Sequence, residues 1–275
     1  MRITSITSEP IEEYLYLNVT PRPESRIIQS TLPVLKATVD HLPDELDAII
    51  ATSDLQGRER IRDCESLPIK LIGEVIPAKL ARWLTQEGYS CDRIGIVLAG
   101  DFYAAPDLRK RGATGDITSV WQAFEIEFRW VVGVGGNHDM FGDEQNLRPP
   151  DSPRTHFLGS ERVNLDGIEI AGLSGIVGNP KKNFRIKKRD YLERLTNLLG
   201  TPADLLLTHD GPDIEHLGLR GTPVIRELLS RLRPPLVIRG HKFWEQPLAE
   251  IAGGTQILNV DSRIVLLTPE DGQGS

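Results

Sequence analysis

Short runs of nearly continuous apolar residues recur along the chain at 48–52, 94–99, 130–134, 205–208 and 236–238. Apolar runs of that length predict strands buried on both faces. Between most of them, apolar residues return with helical spacing, at about 72–87, 119–128, 188–199 and 224–232, which predicts helices with one face on a core. Strands alternating with helices predict a central sheet layered by helices.

The remaining segments add detail. Residues 1–23 are polar and carry Pro10, Pro21 and Pro23, so they read as an arm or an irregular edge element. In 24–40 the residues Ile27, Ile28, Leu32, Leu35 and Val39 come close to a helical period, interrupted by Pro33, and the expectation is a broken helix. The zone 155–178 is rich in β-formers, and its "RVNLDGIEIAGLSG" reads as a hairpin around Asp166–Gly167. The runs 247–252, 256–260 and 264–267 are separated only by short turns and are expected to be antiparallel. The predicted fold class is therefore α/β, a four-layer αββα sandwich of two mixed β-sheets flanked by helices. We expect it to form one domain over 1–275, with 271–275 a disordered tail.

Composition narrows the partners. The chain has 275 residues, 39% hydrophobic and 26% charged, enough to bury a core without disulfides. Its net charge of −7 (32 − 39) provides no global field toward nucleic acid or membrane, though a local basic patch stays open. Cys64 and Cys91 form neither a disulfide framework nor a CxxC pair, and reduced thiols are expected. Glu9, Glu12 and Glu13 mark an N-terminus with no apolar signal core. No run approaches the roughly 18 apolar residues of a membrane span. A soluble, cytoplasmic protein is expected.

The chemistry sits where the buried runs end. The first is followed by Ser53-Asp54-Leu55-Gln56-Gly57, the second by Gly100-Asp101 and the third by Gly136-Asn137-His138-Asp139. His209 and Asp210 follow the fourth, and His241 follows the fifth. In open α/β sheets the ligand crevice lies outside the carboxyl ends of the strands, and glycine there lets the chain turn sharply. Taken singly, each Asp or Asn is an ordinary turn residue and each His an ordinary hydrogen-bonded loop residue. Five such endings in chain order point to one site. Its Asp, Asn and His donors suit Mn, Fe, Zn or Mg rather than a soft metal.

This order of motifs resembles the calcineurin-like metallophosphoesterase superfamily, whose signature is D-x-H, G-D, G-N-H-[DE], a later H, and G-H-x-H. The resemblance runs from about residue 48 to 267 and is carried by "SDLQG", "GD", "GNHD", "TH" and "GHKF". It implies a β-sandwich flanked by helices and a two-metal centre that hydrolyses a phosphomonoester or phosphodiester by metal-activated water. In that pattern Asp101 bridges two metals, and Asn137, His209 and His241 complete one site. Asp54 belongs to the other, where Gln56 and Phe243 replace the family's two histidines. Both departures fall on one metal, so the resemblance implies one tight site and one weakened site. Gln56 is then an oxygen ligand or a donor to water, and Mn²⁺ is favoured, with Fe, Zn or Mg as alternatives. His138, with Asp139 to orient it, matches the residue that contacts phosphate and protonates the leaving group. The implied partner is a phosphoester, a small molecule or a nucleotide, with nucleic acid less favoured and no membrane. Oligomeric state is not legible. The alternative is a weak or inactive member serving as a binding scaffold, as a retromer subunit of the same architecture does. Protein Ser/Thr phosphatases of the superfamily carry GDxVDRG and GNHE, whereas this chain has "GDFYAAP" and "GNHD", so that subfamily is disfavoured.

Other segments carry weaker signals. "NPKKNFRIKKRDY" holds Lys181, Lys182, Arg185, Lys187, Lys188 and Arg189, with Phe184 and Tyr191 available for stacking. It reads either as an anion-binding rim or as a solvated loop entering a helix. "LRKRG" at 108–112 lines the crevice or is a plain loop. His216 reads as a surface histidine before a spare ligand, and Trp244 as packing. "GVGGN" matches a strand end rather than a dinucleotide fingerprint.

Overall fold

A computed structural model describes residues 1–20, 26–59, 69–142 and 148–270. The apolar runs form strands whose alternate side chains enter different cores, because successive residues point to opposite faces of a sheet. Ile49, Ala51, Val97 and Ala99 pack between the two sheets against Leu205, Leu207, Leu236 and Ile238. Their neighbours Ala48, Ile50, Ile96 and Leu98 face outward, onto helices α1 (Ile72–Gln86) and α2 (Thr118–Glu127). On the far side Leu206 and Val237 face outward, onto α3 (Lys188–Leu198) and α4 (Pro223–Leu232). Two faces buried on each sheet, and helices over both outer faces, make the four layers.

One sheet has eight strands. Its order is Ile3–Ile6, Ile27–Val39, Arg263–Pro269, Ala48–Ser53, Ile94–Leu98, Trp130–Gly133 and Thr155–Phe157, with Glu12–Val19 also pairing with Ile27–Val39. The other runs Ser160–Leu165, Ile168–Leu173, Leu205–Thr208, Leu236–Arg239, Thr255–Asn259 and Leu248–Ile251. The central strands of each are parallel, so their carboxyl ends share one edge. The hairpin closes at Asp166 (φ 50) and Gly167 (φ 89), with Leu165 opposite Ile168, the paired positive φ of a tight hairpin turn. Among the described residues, no helix is long and apolar enough to cross a membrane.

Three expectations change. Residues 27–39 form a strand of 13 residues, not a helix. Leu35, Ala37 and Val39 alternate into the inter-sheet core, while Leu32 and Val34 enter the outer one. Pro33 is tolerated because it faces a partner on one edge only: Glu13 lies opposite it, and pairing with Arg263–Pro269 starts at Val34. The expected N-terminal arm contains the strands Ile3–Ile6 and Glu12–Val19, and residues 21–23 lie outside the described residues. The last three strands do not form one antiparallel set. Leu248–Ile251 and Thr255–Asn259 pair antiparallel, but Arg263–Pro269 crosses to the other sheet, parallel to Ile27–Val39 and antiparallel to Ala48–Ser53. The expected tail 271–275 and Cys64 lie outside the described residues; Cys91 is a free, half-buried thiol.

Candidate metal centre

The shared edge is where the chain turns back on itself. Asp54, Asp101 and His241 all have positive φ, at 55, 63 and 71, a conformation costing roughly 1–2 kcal/mol for a residue with a side chain. Each follows a buried strand closely, and the turn brings its side chain back over the sheet edge. The turns are pinned to one another: the Asp54 N–H donates to Gly100 O at 2.9 Å, and the Gly240 N–H to His209 O at 3.3 Å.

Asp101 is the hub. Its Oδ1 accepts the His138 backbone N–H at 2.8 Å, and its Oδ2 lies 3.3 Å from His209 Nε2. His209 is fully buried, and its Nδ1 sits 2.7 Å from Ala99 O, so Nδ1 carries a proton and Nε2 is aimed at the carboxylate. His209 Nε2 and Asn137 Oδ1 are both buried without a hydrogen-bond partner. The His241 ring stands 5.0 Å from that of His209. Asp101, His209 and His241 offer ligand atoms within 4.8 Å of one another.

Electrostatics favour a cation here. Burial lowers the His209 imidazole, but Asp101 and Asp54 outweigh burial and lift it to about 10. The field that holds a proton on Nε2 also attracts a metal ion. Burial and then His209 push His241 down to about 2, so it is a neutral imidazole with a free lone pair. Burial would raise Asp101, yet His209 and His138 hold it at about 2, so it is ionised. Buried acceptors with no donor are rare in native proteins. A divalent cation among Asp101, Asn137, His209 and His241 would take the Asn137 oxygen and displace the His209 proton, so the residues present fit one.

Asp54 lies beside this group. Its Oδ2 accepts the His241 N–H at 2.9 Å and the Ser53 hydroxyl at 2.8 Å, and burial, then Asp261, raise its carboxyl well above the usual range. Asp261 was not anticipated from the sequence. It is buried, its Oδ1 accepts the Ser262 hydroxyl at 2.8 Å, and it bridges to Ser53. The missed signal was the same one read elsewhere: "LNVD" is a buried run ending in a carboxylate. The antiparallel assignment of 256–267 hid it.

The sequence pattern described as calcineurin-like phosphoesterase matches residues 48–243, a span that contains every residue of this group except Asp261. The chain belongs to the calcineurin-like phosphoesterase family. That family uses divalent metals. The phosphoesterase fold is shared with TT1561 of Thermus thermophilus (15% identity, 78% of this chain and 88% of that chain, TM-score 0.50). A looser match is the phosphopantetheinyl hydrolase PptH of Mycobacterium tuberculosis (13% identity, 78% and 88%, TM-score 0.44). No curated protein matches the sequence.

Against the phosphoesterase pattern, several expected residues take other roles. Gln56 does not turn its oxygen toward Asp101: its Nε2 donates to Asp101 Oδ2 at 3.2 Å, because the ionised carboxylate needs a donor. Asp139 does not orient His138. Its Oδ2 accepts the N–H groups of Asp101 (2.7 Å) and Gly136 (2.8 Å), and its Oδ1 that of Phe102 (2.9 Å). It therefore ties the "GD" turn to the "GNHD" turn, and burial and Asp101 push its carboxyl up to about 6. His138 Nδ1 instead faces Thr114 Oγ1 at 3.4 Å.

Phe243 leaves the centre altogether. It is 47% exposed, with Arg263 stacked 4.6 Å over its ring. Trp244 is buried under Arg239, 5.2 Å away, and its indole donates to Arg220 O at 2.7 Å, which is packing. His216 is an exposed surface residue. Tyr191 is fully buried and cannot stack on a ligand. The "LRKRG" loop does reach the crevice: a Cβ on Gly112 would lie 3.2 Å from the His138 ring.

Proposed function

We propose that this chain is a divalent-metal-dependent phosphoesterase acting on a phosphomonoester or phosphodiester. The observation that carries the reading is the buried group of Asp101, His209 and His241, whose ligand atoms lie within 4.8 Å of one another, with the partnerless Asn137 Oδ1 on the adjoining turn. Asp101, Asn137, His209 and His241 would hold one cation tightly. Asp54, with Asp261 nearby, would hold a second more weakly, and Mn²⁺ or Mg²⁺ would suit such an oxygen-rich site better than Zn²⁺. When bound, the cations supply positive charge to the phosphoryl oxygens and acidify water.

The chain's own residues do the rest. The Asp139 carboxylate fixes the two turns, so Asp101 and the His138 backbone keep their separation. His138 stands at the mouth of the group, and burial lowers its imidazole, with Asp101 opposing. It binds the phosphate and passes a proton to the departing oxygen. Gln56 holds Asp101 Oδ2 with its amide in place of an imidazole. A cytoplasmic setting is part of the same reading.

A second reading, a scaffold with little activity, rests on Gln56 and Phe243. One covers a carboxylate oxygen of the centre and the other turns to the surface. Turnover of p-nitrophenyl phosphate and bis-p-nitrophenyl phosphate with added Mn²⁺ separates the two. Activity that rises with Mn²⁺ supports the enzyme; none across a broad phosphoester panel supports the scaffold.

A further inference from the structure

A cavity of about 540 Å³ is bordered by Phe157, Lys181, Lys182, Phe184, Arg185 and Arg194. Two of its lining residues, Ser174 and Phe184, touch Gly135, two residues before Asn137. The Ser174 hydroxyl accepts the Gly135 N–H at 2.9 Å. Phe184 packs so closely on the same glycine that a Cβ there would lie 2.9 Å from its ring.

The segment is shaped to place Phe184. Phe184 has φ 48, an unfavourable backbone conformation for a bulky residue. Gly175, φ 85, leaves room for its carbonyl, which would lie 2.4 Å from a Cβ at that position. Ile176 and Val177 pair with Arg185 and Ile186 to fix the segment. Around the ring the charge is one-sided. Among the described residues, Lys181, Lys182, Arg185 and Arg194 have no carboxylate partner, while Arg148 at the same cavity pairs with Glu161. Four cations without a carboxylate partner around one aromatic-walled cavity, in a chain of net charge −7, favour an anion there. The volume is in the usual range for a small ligand.

We infer that this cavity receives the leaving-group half of the substrate, and that this half is a nucleoside phosphate. Its base lies against Phe184 and its phosphates among Lys181, Lys182, Arg185 and Arg194. This deepens the phosphoesterase reading and rests on it. Hydrolysis then breaks the P–O bond between the two halves. The oxygen of water joins the phosphoryl group that His138 binds, and a proton passes from His138 to the departing nucleotide oxygen.

The test is titration calorimetry of the full chain with Mn²⁺ and the non-hydrolysable adenosine 5′-(β,γ-imido)triphosphate. Tripolyphosphate serves as the base-free control. We expect the analogue to bind at least about tenfold more tightly than tripolyphosphate, and K181E/K182E to weaken it by about tenfold or more, as loss of charge-assisted hydrogen bonds implies. Both lysines are exposed, so the variant folds, which circular dichroism checks. Equal affinity of variant and wild type, or of analogue and tripolyphosphate, overturns the inference. Turnover of bis-p-nitrophenyl phosphate without analogue binding overturns it while leaving the phosphoesterase reading intact. Analogue binding without turnover of any phosphoester does the reverse: it supports the pocket and counts against the enzyme.

Discussion

Gln56 donates its side-chain amide to Asp101 Oδ2 at 3.2 Å, on the same carboxylate oxygen that faces His209 Nε2 at 3.3 Å. One side of the hub is thus open to a cation and the other is held by a neutral donor. On the proposed function, the departures at Gln56 and Phe243 fall on one metal position and leave the other its ligands.

Restoring an imidazole at Gln56, which touches Asp101, should strengthen the weak position. In Q56H, Mn²⁺ titration is expected to show a second binding event at least about tenfold tighter than in the wild type, with the first unchanged. An unchanged isotherm in the variant would mean that this position does not belong to a metal site.

Asp261 stands behind Asp54, and its loss should be felt at that same position. Asp261→Asn is expected to weaken the second Mn²⁺ about tenfold by removing a nearby negative charge, and to leave the tight ion in place. Metal counting by mass spectrometry after dialysis checks the tight ion, and calorimetry checks the weak one. Loss of the tight ion instead would place Asp261 elsewhere in the account.

Asp139 has the contacts of a brace between turns rather than of a partner that orients His138. Asp139→Ala leaves three backbone N–H groups without their acceptor, at about 1–3 kcal/mol for each that stays buried and unsatisfied. Urea unfolding should show a loss of several kcal/mol by that arithmetic, with Asp139→Asn intermediate because its oxygen still accepts. An Ala variant as stable as the wild type but inactive would favour the role of orienting His138 instead.

How much was legible follows from where the signal lies. Asp54, Asp101, Asn137, His209 and His241 could be read because each ends a run buried on both faces, and such runs are visible in sequence. The strand Ile27–Val39 could not, because it feeds the outer core through Leu32 and Val34 and the inter-sheet core through Leu35, Ala37 and Val39. That switch of face mimics a helical spacing. Asp261 was hidden by a crossover between sheets, which nothing local in "NVDSR" announces. The partners of Asp139 and Gln56 are set by turns far apart in the chain, so residue type named them while contact decided their roles.

Metal binding should depend steeply on pH. With His209 lifted to about 10, the metal-free group carries a proton on Nε2 at neutral pH, and a cation must displace it. Below that value each unit of rising pH should therefore tighten apparent Mn²⁺ affinity by about tenfold. Calorimetry at pH 6.5, 7.5 and 8.5, chosen as roughly spaced points in that window, checks the slope. A flat profile would mean that no proton leaves on binding.

On the proposed function, the group around Asp101 and His209 holds the metal on which phosphoester hydrolysis depends. The most direct test measures bound metal and Mn²⁺-dependent bis-p-nitrophenyl phosphate turnover in the same preparations of wild type and His209→Ala. The account predicts one tightly held ion with Mn²⁺-stimulated turnover in the wild type, and the loss of both in the variant. Undiminished metal and turnover in His209→Ala would contradict it.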